Sequence, residues 1–207
     1  MLPARIMLCL ALALGAQAAD RPRLGFDVHL DTPLADLKAD LGGKVGAGAS
    51  FLATFDLGPA LSARPRLDVD VQRVSRHRRA GRDHTEEVNF SSVGIGADLL
   101  GTFAGTRERG FYWSAGAGLQ QWFQTFSATD SGSSSSRSRT ETRKNRLTPW
   151  GAVGLGCQIS RRVGVEVRDV VSRYDMPQGP GLQAPFSDVP TEARTASVLQ
   201  TGVTFRW

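Results

Sequence analysis

Arg66-Leu67-Asp68-Val69-Asp70-Val71-Gln72 changes character at every step. Leu67, Val69 and Val71 share one parity, while Arg66, Asp68, Asp70 and Gln72 share the other. Side chains of an extended chain point alternately to opposite faces, so this stretch reads as a strand with one apolar face and one charged face. Its charged face carries both signs at neighbouring positions. Such a face can neutralise itself where there is little water.

The same period recurs in eight runs between Leu24 and Trp207. Leu24, Phe26, Val28 and Leu30 oppose Gly25, Asp27, His29 and Asp31; Val45, Ala47, Ala49, Phe51, Ala53 and Phe55 oppose Gly46, Gly48, Ser50, Thr54 and Asp56, with Leu52 as the exception. Further along, Val93, Ile95, Ala97 and Leu99 alternate with Gly94, Gly96 and Asp98, and Phe111, Trp113, Ala115, Ala117 and Leu119 alternate with Tyr112, Ser114, Gly116, Gly118 and Gln120. The last three runs set Val153, Leu155, Cys157 and Ile159 against Gly154, Gly156 and Gln158, then Val163, Val165 and Val167 against Gly164, Glu166 and Arg168. They end with Leu199, Val203, Phe205 and Trp207 against Gln200, Gly202, Thr204 and Arg206.

Alternation alone leaves open which face is inside, because a soluble lipocalin-type barrel has the same period with its apolar face inward. Three features favour apolar side chains outside. Acids and bases share the polar face, which predicts a lumen network of Asp27, His29, Arg66, Asp68, Asp70, Asp98, Glu166 and Arg168. Glycines at every second position of that face leave room for the long charged side chains, in a ring only wide enough to be filled by its own residues. Phe55, Phe103, Phe111, Trp113, Phe123, Trp150, Phe205 and Trp207 gather at the ends of runs, where a membrane barrel carries interfacial girdles. The fold class expected is all-β, an eight-stranded antiparallel up-and-down transmembrane β-barrel.

The connectors alternate in length. Residues 57–60, 104–110 and 160–162 are short or moderate, whereas 32–43, 74–87, 124–146 and 174–192 are long. With both termini in the periplasm, every long connector faces outside the cell, as expected of a bacterial outer-membrane barrel. The first long connector predicts a short helix at the barrel rim, capped by Thr32, with Pro33 in its first turn, Leu34, Leu37 and Leu41 on one side and Gly42 at its end.

The first residues address the chain to export. Arg5, the apolar run Ile6 to Leu14 and the small-residue signal Ala16-Gln17-Ala18 read as a signal peptide over 1–18, leaving a barrel domain over 19–207. The apolar run is too short to span a membrane as a helix. Cys9 leaves with the leader, so Cys157 stands alone and no internal disulfide can form. The formal charge of +5 invites a nucleic-acid partner, but the arginines of 76–82 and 137–146 have no aromatic residues between them to stack on bases. Export also argues against nucleic acid. An anionic lipopolysaccharide surface or a host or matrix polyanion suits these charges better.

The chain resembles the small eight-stranded outer-membrane barrels of the OmpA/OmpX type. The resemblance rests on Gly46-Ala47-Gly48-Ala49, Arg64-Pro65-Arg66-Leu67-Asp68, Gly116-Ala117-Gly118, Gly154-Leu155-Gly156 and the closing Gly202-Val203-Thr204-Phe205-Arg206-Trp207. It implies that Phe205 and Trp207 form the signal read by the barrel-insertion machinery, although that family more often ends in Phe than in Trp. It implies no single function, since such barrels include adhesins, serum-resistance factors, structural proteins, narrow pores and a few enzymes.

Residue checks turn the expectation away from catalysis. None of His29, His77 or His84 begins the His-x-Ser pair of lipid A deacylases, and Asp130-Ser131 sits in a serine-rich stretch that reads as a polar loop. His77 and His84, with Asp83, Glu86 and Glu87, lack the short fixed spacing of a zinc site. His29 with Asp27 and Asp31 reads as part of the lumen network. The expectation is a monomer, with neither metal nor cofactor, that acts as a structural or surface-interaction barrel in contact with outer-membrane lipids, lipopolysaccharide or a polyanion through long basic loops. A narrow channel for small solutes is the alternative.

Overall fold

The computed structural model describes residues 22–79, 83–131, 136–177 and 191–207. The chain runs through β1 (Arg23–Leu34), α1 (Ala35–Asp40), β2 (Gly46–Asp56), β3 (Leu61–Arg79), β4 (Asp83–Gly105), β5 (Gly110–Ser131), β6 (Ser136–Gln158), β7 (Val163–Pro177) and β8 (Thr191–Arg206). Each strand pairs antiparallel with the next, and β1 closes on β8 from Gly25↔Arg206 to Leu34↔Ser197. The result is a ring closed through the barrel body; above it, β3 past Val71 and β6 before Gly151 have no ladder partner on their outer sides. Closure gives every backbone N–H and C=O of that body a neighbouring strand to bond, which a sheet surrounded by hydrocarbon requires.

The wall is inside out relative to a soluble protein. Val28, Phe51, Ile95, Val153 and Leu155 each expose half or more of their surface, while Arg64, Arg66, Asp68, Asp70, Asp98, Glu166 and Arg168 are all buried. Water outside would leave a continuous apolar girdle exposed and ions sequestered within. Hydrocarbon outside reverses that penalty, and the molecule is an eight-stranded transmembrane β-barrel. Among the described residues no helix is long and apolar enough to cross a membrane, so the crossing is made by strands.

The turns after β2, β4 and β6 lie at one end, with both ends of the described chain, and we name this the turn end. Here Phe103, Phe111 and Trp207 are more than half exposed, and Phe26 stacks on Phe205 with ring centroids 4.8 Å apart. A bulge between Thr102 and Ala104 sets Phe103 outward beside Phe111. These rings form an aromatic belt at the turn end.

At the opposite, hairpin end the sequence reading needs correction. Residues 74–87 and 124–146 are not long loops: β3 and β4 stay paired to Arg79↔Asp83, and β5 and β6 to Ser131↔Ser136. Because β4 and β5 also stay paired to Asp83↔Ser131, the upper parts of β3 to β6 form one tall four-stranded sheet that continues the wall. A bulge at Gln121/Phe123, where β6 carries the extra residue, turns Asn145 inward and resets the parity above it. Trp150 is a second correction. It is buried in the lumen with the Arg168 guanidinium 5.4 Å over its ring, so it is not an interfacial aromatic.

The short helix exists but begins differently. Thr32 and Pro33 belong to β1, the N-cap position falls on Leu34 without a side-chain cap, and Ala35 turns the chain at φ 48°. Pairing of β1 with β2 ends at Asp31↔Gly46, so Pro33 interrupts no ladder on that side. The helix lies across the hairpin end with Leu37 and Leu41 fully buried against Phe90, Trp122, Tyr174, Ala196 and Val198. Tyr174 and Arg194 both donate to the Asp40 carboxylate, and the Thr195 N–H donates to Asp36 at 3.1 Å. The lid is therefore tied to β7 and β8.

Candidate functional site

Four inward positions of β3, Arg64, Arg66, Asp68 and Asp70, supply more of the lumen's buried charge than any other strand. Because inward residues recur every second position, each rises one step along the barrel and meets a different set of neighbours. The lumen consequently has layers.

The layer nearer the turn end centres on Arg64, 1% exposed. Its guanidinium donates Nη1 and Nη2 to the two oxygens of Glu166 at 2.6 and 2.8 Å, and Nε and Nη2 to one oxygen of Asp98 at 3.0 and 2.7 Å. Glu166 also accepts from Ser114 at 2.8 Å and from the Tyr112 hydroxyl at 3.1 Å. Arg66 grips Asp68 at 2.7 Å, reaches Asp98 at 3.1 Å and donates to Ser50 at 2.8 Å; Ser50 in turn donates to Asp68. Arg168 completes the layer by donating to the other oxygen of Asp98 at 3.3 Å. Planar guanidinium forks matched to carboxylates give each buried ion several partners, and such a layer tolerates burial only because nearly every charge is met.

The next layer toward the hairpin end contains His29. Its Nδ1 lies 2.6 Å from Asp27 and its Nε2 2.9 Å from Asp70, with Asp31 at 3.6 Å from the same nitrogen. Ser92 donates to the second oxygen of Asp70 at 2.8 Å, Thr204 donates to Asp27 at 3.2 Å, and Gln120 donates to Ser92 at 2.7 Å. Gln200 Nε2 stands 3.2 Å from His29 Nε2. Above this layer the apolar cluster beneath α1 closes the lumen.

Glycines make the packing feasible. A Cβ on Gly48 would sit 2.3 Å from His29 Nε2, and one on Gly116 would sit 2.0 Å from Asp98 Oδ1. Neither position has space for a methyl group. Two cavities along the lumen have volumes of ≈ 10 Å³ each, the lower limit for one water molecule.

The structure thus brings Arg66, Asp68, Asp98 and Arg168 into one layer with Glu166, and Asp27, His29 and Asp70 into the other. Sequence reasoning missed Arg64, the hub of the first, although it continues the parity of Arg66, Asp68 and Asp70; Pro65 ended the legible run one step too early. Ser50, Tyr112, Ser114 and Gln200 were placed on the polar face but not in the network, and Ser92 was missed, although it has the same inward parity. The side chains of His77, His84, Asp83, Glu86, Glu87, Asp130 and Ser131, and the whole of 1–18, lie outside the described residues. At the turn end Phe205 is paired with Phe26, and the Trp207 N–H donates to the Leu24 carbonyl at 3.0 Å.

No protein-family model matches the chain, and no curated protein sequence matches it. Solved structures similar to it include Ail, the attachment invasion locus protein of Yersinia pestis, in complex with the heparin analogue sucrose octasulfate. It is 11% identical with a TM-score of 0.49, over 91% of this chain and 100% of that one. The N-terminal β-barrel domain of Pseudomonas aeruginosa OprF is 14% identical with a TM-score of 0.41, over 90% of this chain and 100% of that one. Neisserial surface protein A is 13% identical with a TM-score of 0.40, over 90% of this chain and 96% of that one.

Proposed function

We propose that the protein is a non-catalytic barrel of a bacterial outer membrane that stays closed and serves as a rigid base for its hairpins. The observation that carries this reading is the pairing of an apolar outer wall with a lumen filled by interlocked ions. Channels need a continuous wet path, whereas the ions around Arg64 in this lumen bond one another. With the turn end in the periplasm, the hairpins β3/β4 and β5/β6, joined by the pairing of β4 with β5, rise outside the cell. The second carries Arg137, Arg139, Arg143, Lys144 and Arg146 on β6 against few acids, which suits the anionic phosphates of lipopolysaccharide or a host or matrix polyanion.

Two measurements test the two halves of this reading. In planar bilayers the refolded protein is expected to give no steady single-channel current; a reproducible ohmic step would restore the reading as a narrow solute channel. Replacing 127–146 by a tight turn should leave a folded barrel and cut binding to lipopolysaccharide by at least tenfold at low salt. Unchanged binding would remove this ribbon from the contact surface.

A further inference from the structure

The layer around His29 is not neutral. Asp27, Asp31 and Asp70 are all buried there, and the base bonded to that layer is one imidazole, since Arg66 is taken up by Asp68 and Asp98, and Arg168, which lines the same cavities, donates to Asp98. Even with His29 fully protonated and Arg168 facing the same cavity, three carboxylates meet two positive charges, and Arg168 spends one of its bonds on Asp98. Uncompensated buried charge is costly and must be met by a proton or by a cation.

Asp31 sharpens the problem. It has no exposed surface, and neither of its carboxylate oxygens has a hydrogen-bond partner. Asp27 and Asp70, by contrast, each accept from a hydroxyl. β1 directs Asp31 inward at the same parity as Asp27 and His29, where it stands 3.6 Å from His29 Nε2.

We propose that His29 Nε2, Asp31 and Asp70 form a binding site for one divalent first-row metal ion of the zinc class. The three donor atoms lie within 4.8 Å of one another. Two of their separations are 2.9 and 3.6 Å. A tetrahedral ion with bonds of roughly 2.0 Å requires donor separations of about 3.3 Å, so only small side-chain shifts would be needed. One imidazole and two carboxylates are a zinc-type donor set rather than an all-oxygen calcium set. The other ring nitrogen, Nδ1, faces Asp27 at 2.6 Å, which fixes the ring and makes Nε2 the free donor, as is usual behind a metal-bound histidine. Half a turn of the Gln200 amide gives up its 3.4 Å donation to Asp70, places its oxygen where its nitrogen now stands, 3.2 Å from Nε2, and supplies a fourth ligand. The apolar layer beneath α1 separates this site from the hairpin end, so the ion enters as the barrel closes and is retained afterwards.

The full mature chain refolded into detergent with Zn²⁺, then passed over a chelating resin, decides the matter. About one zinc per chain by elemental analysis is expected, and refolding with Co²⁺ should give the intense visible bands of a low-coordinate nitrogen and oxygen site. Asp31→Asn breaks no hydrogen bond of the metal-free lumen, so it should still show the unheated gel shift of a folded barrel while its retained zinc falls at least tenfold. A folded wild-type barrel that retains no zinc would overturn the proposal. So would an Asp31→Asn barrel that still holds one ion, or a ¹⁵N spectrum of the Zn²⁺-refolded wild type with protons on both nitrogens of His29. The wild-type measurements decide even if the variant fails to fold.

Discussion

Arg64 shows how one side chain organises a barrel interior. Removing it leaves Glu166 with two neutral donors and no cation in contact, in a site where breaking one partner of an ion pair typically costs about 3–5 kcal/mol. Arg64→Ala is therefore expected to lower the urea midpoint of the refolded protein, and Arg64→Ala with Glu166→Ala to cost clearly less than the two single changes added together. Strict additivity in this cycle would show that the two groups are not coupled. Gly116→Ala tests the same layer by volume. Its methyl would collide with Asp98, so a destabilisation of about 1–3 kcal/mol is expected by equilibrium unfolding, against little change for Gly58→Ala, where nothing lies nearby. The parity of Arg64 was readable in the sequence, but Pro65 disguised it. The parity of Trp150 was equally readable, since it shares the inward set of Gly154 and Gly156; position near a run end was a weaker signal than phase.

Among the elements, the strand cores were legible and their ends were not. Where a strand crosses hydrocarbon it has one dry and one ionic face, and the period of two is plain. Toward the hairpin end the binary pattern of the sequence disappears, and stretches such as 74–79 and 136–144 look like loops although their backbones remain paired. The helix was legible through Leu37 and Leu41, but what they cover was not, because Phe90, Trp122, Tyr174 and Val198 come from four different strands. This arrangement separates two seals, an apolar lid and an ionic plug below it. Leu37→Ala with Leu41→Ala should lower stability by several kcal/mol through lost burial. It should still give no current in planar bilayers, since the layers of Arg64 and His29 are untouched. Current in that variant would mean that the lid alone holds the barrel shut.

For the whole molecule the decisive quantity is what wets the wall. Apolar side chains are more than a third exposed on every strand, at Phe26, Phe51, Val69, Ile95, Trp113, Val153, Val165 and Val203, while charged residues of the opposite parity are buried. Exchanging the two media would expose all of these apolar side chains to water at roughly 25 cal/mol per Å², a penalty no loop contact could offset. The same inversion explains why eight weak strand signals together predicted a closed barrel: each apolar face needs a lipid neighbour, and each backbone edge needs another strand. Spin labels at Ile95, Val153 and Val165 in lipid vesicles should be relaxed strongly by oxygen and weakly by a water-soluble nickel complex. The ratio should fall toward the turn end, where a label at Thr106 meets water. Equal access of the nickel complex to Ile95 and Thr106 would mean that water, not hydrocarbon, surrounds the barrel, and the ionic interior would then need a different cause.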